Sequence, residues 1–282
     1  MIEGAFCPTG KAEKLLLSTD GSEYSEGAIR EAISFAKKCS SRLCAMSVIE
    51  TNPEYETVGA KELEKQDVKL LNHLDSIKQR ATAEGITCDV FLCHREEPHE
   101  CIVDEARKRQ VDMIIIGRRG IKGLKRLFVG EVAAKVINAA PCKVLVVPRE
   151  ARIGYRRILI ATDGSEDSAT AVSEGIGIAR RCGSDIIALS VARSDRELPH
   201  ARDLAEAVAE AARKEGLSAE VIAPKGKPDE RIVEVAAGHG ADLIVLGTFG
   251  STGIGELLMG AVTERVIGSA GCGVMVVRAQ GG

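Results

Sequence analysis

Apolar positions along this chain gather into short runs, separated by stretches in which they recur three and four residues apart. Runs at Lys14–Ser18, 43–49, 87–93, 113–116 and Lys143–Val147 are only a few residues long and mostly apolar, as strands of a buried sheet are. Between them, residues 22–38 place Ala28, Ile29, Ala32, Ile33 and Ala36 at helical spacing. Residues 62–84 form a long charged helix with Leu63, Leu70, Leu71, Leu74 and Ile77 on one side. Further helices are predicted at 98–110, where Pro98 suits the first turn, and at 132–139. The succession then repeats and closes on a strand at 274–277. Such alternation predicts an α/β fold with a parallel sheet and helices on both faces.

The second pass is a copy of the first. Residues 16–22 read LLSTDGS and 159–165 read LIATDGS, an offset of 143. Residues 111–117 read VDMIIIG and 241–247 read ADLIVLG, an offset of 130. The first copy therefore carries 13 extra residues (143 minus 130), assigned to the polar stretch near 51–66. Two tandem domains are expected, 1–150 and 151–282, with a seam near 148–156.

Composition narrows the function classes. The chain has 282 residues, 28% of them charged, with a net charge of -3, which argues against a general binder of phosphate backbones. Aromatic residues make up 3%, too few for base-stacking surfaces. No apolar run approaches a membrane span, and residues 1–14 lack a signal-peptide pattern. Nine scattered cysteines without a C-x-x-C read as reduced thiols of a cytoplasmic protein. Cys88, Cys93, His94, His99 and Cys101 invite a metal reading, but Cys88 and Cys93 should face opposite sides of a strand. Buried thiols and surface histidines are expected there instead, and His73, His200 and His239 are expected to be solvated.

Two motifs fall at strand carboxyl ends, where parallel sheets bind ligands. One is Asp20-Gly21-Ser22, matched by Asp163-Gly164-Ser165. The other is a glycine loop, Gly117-Arg118-Arg119-Gly120 followed by Gly130-Glu131, matched by Gly247-Thr248-Phe249-Gly250 and Gly260-Ala261. Glycines let backbone approach a ligand closely, and amides of such a loop and of the following helix can receive phosphate. The loop is neither a Walker A motif nor a dinucleotide fingerprint. Arg118, Arg119, Lys122, Lys125 and Arg126 make the first loop basic, as a phosphate site or a solvated face would be.

The spacing G-x2-G-x9-G, with an Asp ending the first strand, resembles that of the universal stress proteins, over residues 14–148 and 156–278. The resemblance implies two doubly wound domains, each a five-stranded parallel sheet of order 3-2-1-4-5. It implies an adenine nucleotide (AMP, ADP or ATP, with or without Mg²⁺) between the first and fourth strands. Carried over by position, the first site comprises Thr19, Asp20, Val48, Ile116, Gly117, Arg119, Gly120, Gly130, Glu131 and Val132. The second comprises Thr162, Asp163, Val191, Leu246, Gly247, Phe249, Gly250, Gly260, Ala261, Val262 and Thr263. In this transfer Asp20 and Asp163 meet the adenosine end, Val48 and Val191 the adenine, and the amides of Gly130 and Gly260 the phosphate. Where the family has Ser or Thr after the last glycine, this chain has Glu131 and Ala261. Glu131 is expected either to cap its helix or to fill the anion site itself, and Thr263 to compensate in part for Ala261.

The fifth strands are expected to pair with each other inside one chain as a pseudo-dimer, with a homodimer also open. The expected function is a nucleotide-binding stress-response or regulatory module without turnover. Its alternatives are a slow Mg²⁺-dependent ATPase or phosphotransferase, and an interaction protein that binds no nucleotide.

Overall fold

A computed structural model describes residues 12–51, 60–120, 129–248 and 259–279. The first half runs β1 (Lys14–Ser18), α1 (Glu26–Cys39), β2 (Arg42–Glu50), α2 (Ala60–Ala83), β3 (Cys88–Arg95), α3 (Pro98–Arg109), β4 (Met113–Gly117), α4 (Glu131–Ala139) and β5 (Lys143–Val147). The second half repeats it as β6 (Arg157–Ala161), α5 (Glu166–Cys182), β7 (Asp185–Leu189), α6 (Leu198–Lys214), β8 (Ala219–Ile222), α7 (Pro228–Gly238), β9 (Leu243–Gly247), α8 (Ala261–Ser269) and β10 (Gly273–Val277). The helix expected from residue 22 opens instead with a 3-10 turn, Glu23–Ser25, before α1 begins.

All ten strands form one sheet in the order β3-β2-β1-β4-β5-β10-β9-β6-β7-β8. Each half has the order 3-2-1-4-5, and every pairing within a half is parallel. The halves join through antiparallel β5 and β10, with Leu145 opposite Met275. Alternation along the strands sends Leu145 and Met275 to one face and Val144, Val146, Val274 and Val276 to the other. Both core clusters therefore run unbroken across the seam.

The 13 extra residues lie mostly before β3. Leu43 pairs with Cys88 where Ile186 pairs with Ala219, offsets of 143 and 131, so 12 of them (143 minus 131) fall between β2 and β3. Part of the surplus is a longer helix, 24 residues in α2 against 17 in α6; residues 52–59 lie outside the described residues.

The connecting segment is buried rather than looped into solvent. Ala151, Ile153 and Tyr155 are each 4% exposed. Arg30 of α1 donates to the carbonyls of Arg149 and Ala151. A Cβ at Gly27 would lie 2.2 Å from the Pro148 carbonyl oxygen, so α1 meets this segment backbone to backbone.

The expectation of uniformly reduced thiols is corrected. Cys93 on β3 and Cys101 on α3 form a disulfide, with Cα atoms 7.0 Å apart, and Cys39 is also disulfide-bonded. Packing α3 against β3 brings the Cys101 thiol onto Cys93, while Cys88, earlier on the same strand, stays free. Cys44, Cys88, Cys142, Cys182 and Cys272 are free, and burial pushes each thiol up, Cys142 to about 12. Among the described residues no helix is long and apolar enough to cross a membrane.

Candidate functional site

Strand order reverses between β1 and β4, so the loops leaving their carboxyl ends diverge and leave a crevice. Asp20 lies on one wall. Its Oδ1 accepts from the Ser22 amide at 3.0 Å and the Ser22 hydroxyl at 2.6 Å, which fixes a tight turn with Gly21 at φ +73°. Asp163 and Ser165 repeat both bonds. The glycine loop forms the other wall. A Cβ at Gly120 would lie 2.7 Å from Asp20 Oδ2, so the two motifs that the sequence separates by a hundred residues are in van der Waals contact. Gly117 lies close under the 3-10 turn; its counterpart Gly247 lies under the first turn of α5, where a Cβ would come within 2.9 Å of Asp167 and Ser168. Phe249 and Gly250, and with them Lys122, Lys125 and Arg126, lie outside the described residues.

Thr19 and Thr162 line the base, but their hydroxyls face inward. Ser25 donates to the Ser22 carbonyl, so Thr19 Oγ1 donates to Ser25 at 2.7 Å. Thr19 then accepts from the Gly21 amide and from His73 Nε2 at 3.1 Å. Thr162, Ser168 and Gly164 repeat this arrangement without a histidine. The position matching His73, 131 residues on, is Leu204, whose side chain packs over Gly164 as Leu70 and His73 do over Gly21. His73 is thus no solvated residue. Burial pushes its imidazole below the ordinary range, against the pull of the Asp20 and Glu26 carboxylates. Sequence reading missed it because only the packing of α2 over the first loop brings it there. The other histidines vary: His94 meets Asp67, His99 meets Glu97, His239 meets the Val235 carbonyl, and His200 is exposed.

The phosphate-facing part of the transferred site needs three corrections. The amides of Gly130 and Gly260 are already donated, to the carbonyls of Arg118 at 2.9 Å and Thr248 at 3.0 Å. These glycines close the loop, and the amides that open α4 and α8 without a side-chain cap belong to residues 131–133 and 261–263. Glu131 does not fill the anion site: its side chain is 81% exposed and pairs with Lys135 at 3.0 Å, one turn along α4. Thr263 does not stand in for the missing hydroxyl, because its proton goes to the Gly247 carbonyl at 3.0 Å and the residue is buried. Ile116 and Leu246 are buried at the ends of β4 and β9, while Val48, Val191, Val132 and Val262 are half-buried against the core of the same sheet face. Arg118 turns away from it and donates to the Ala270 carbonyl of the other half at 2.6 Å.

A model of the universal stress protein family matches this chain twice, over residues 11–148 and 154–278. The chain belongs to the universal stress protein family. A universal stress protein of Mycolicibacterium smegmatis is 27% identical over 293 residues, covering 94% of this chain and 96% of that protein. One from Methanocaldococcus jannaschii is 34% identical over 140 residues, covering 44% of this chain and 82% of that protein. Among solved structures, a universal stress protein from Archaeoglobus fulgidus superposes with a TM-score of 0.77 at 22% identity, covering 96% of this chain and all of that one, a likeness of fold.

Proposed function

We propose that this universal stress protein binds adenine nucleotide at the carboxyl ends of β1 and β4, and of β6 and β9, as a regulatory module that does not turn it over. Each repeat, 1–150 and 151–282, would be one binding unit. The contact of Asp20 with Gly120 carries the reading, since it makes one crevice of the two motifs. Adenosine would lie against Asp20 and Val48, or Asp163 and Val191. Phosphate would meet the amides of residues 131–133 or 261–263, where the helix dipole favours an anion. With Thr263 committed inward and Ala261 lacking a hydroxyl, AMP or ADP suits the second site better than ATP. Lys135 offsets the charge of Glu131 at the first.

Calorimetric titration of the full chain with AMP and with ATP tests this. Binding should appear, and Asp20→Ala and Asp163→Ala should each remove part of it. No heat and no thermal shift with either nucleotide would sink the reading.

A further inference from the structure

At the seam, the end of each half's last helix meets the glycine loop of the other half. Asn138, in the last turn of α4, accepts through Oδ1 from the Met259 amide at 2.5 Å. Met259 immediately precedes Gly260, whose own amide bonds Thr248 and whose carbonyl receives the Glu264 amide in the first turn of α8. The Asn138 carbonyl accepts from Arg278, just past β10, at 3.0 Å. On the other side, the C-cap of α8 at Ala270 accepts from Arg118, whose backbone bonds Gly130 and Val147. The places correspond but the chemistry differs. The residue matching Asn138 is Gly268, which has no side chain to offer the first loop.

We propose that the first repeat completes the second repeat's nucleotide site, with Asn138 as the residue that positions it. This rests on the function proposed above. Without Asn138 the Met259 amide, on a residue only 8% exposed, loses its acceptor, and the turn that aims residues 261–263 loses its anchor to the other half, keeping the Gly260 bond to Thr248. Asn138 touches no ligand in this reading; it acts through Met259. Helix α4 then faces the first site with its N-terminal amides and holds the second loop with its last turn, so one rigid element of nine residues serves both sites.

The test uses the full chain carrying Gly120→Val, which fills the first crevice so that the second site reports alone. Asn138→Ala should weaken AMP binding roughly three- to tenfold, the range for one lost hydrogen bond. Asn138→Asp keeps an acceptor for Met259 and should hold AMP closer to wild-type affinity than Asn138→Ala does, a rescue by the conservative variant that loss of side-chain bulk alone would not produce. Hydrogen exchange at the Met259 amide should quicken in Asn138→Ala and stay slow in Asn138→Asp. Unchanged AMP affinity in Asn138→Ala, or unchanged exchange there, overturns the proposal. A wild-type chain that takes no AMP overturns the nucleotide reading instead, and the exchange arm alone then decides the role of Asn138.

Discussion

Asp20 Oδ2 stands 2.7 Å from the point where a side chain on Gly120 would begin. Among the described residues what meets that point is the Asp20 carboxylate, a side chain rather than backbone, whose other oxygen Ser22 anchors. Gly120→Ala should therefore lower nucleotide affinity at the first site while the melting temperature moves little. Gly27→Ala should do the reverse. Its Cβ meets the Pro148 carbonyl at 2.2 Å and the Arg149 backbone, neither of which can rotate away. A loss of about 1–3 kcal/mol is expected by chemical denaturation, as in overpacked cores.

Glu31 gives a pH signature. It is 5% exposed, and burial raises its carboxyl pKa against the Ile153 amide and the nearby Arg30. A carboxyl raised by folding contributes stability at low pH that is lost as pH rises past the ordinary glutamate range. Glu31→Gln should therefore be more stable than wild type at neutral pH, with the gap closing toward acid. An equal gap at every pH would rule this out.

His73 gives the opposite sign. Burial lowers its pKa, so the unfolded chain takes the proton first and stability falls as pH drops below the ordinary histidine range. His73→Leu, which copies Leu204, should flatten that fall and leave the Thr19–Ser25 bond intact. Melting curves from pH 8 to 5 for the two proteins should converge at the alkaline end and part at the acid end.

The disulfide is checked by mass. Digestion without reductant should give one peptide pair linked through Cys93 and Cys101, lost on reduction. Thiol titration of the denatured, unreduced chain should count fewer than the nine cysteines of the sequence.

The fold was legible because two signals agreed: apolar runs marked strands, and the internal repeat fixed which strands correspond. Asp20 and Gly120 were legible as motifs. Their mutual contact required the order 3-2-1-4-5, which came from resemblance and not from periodicity. What sequence reading could not reach was the use of individual protons. Gly130 looked like a phosphate donor until its amide met Arg118, and Thr263 like a spare hydroxyl until it met Gly247. Asn138 carried no motif at all. Its only visible mark was an amide in one copy where the other has Gly268, and its partner lies 121 residues away.

The seam at β5 and β10 has a consequence for dilution. Two separate chains paired by strand edges would come apart as their concentration fell. Here the partners share one backbone, so their effective concentration is set by the segment that joins them. The pairing persists at a single molecule per volume. Two unlike crevices, one beside His73 and one beside Leu204, therefore remain in one-to-one proportion whatever the level of expression.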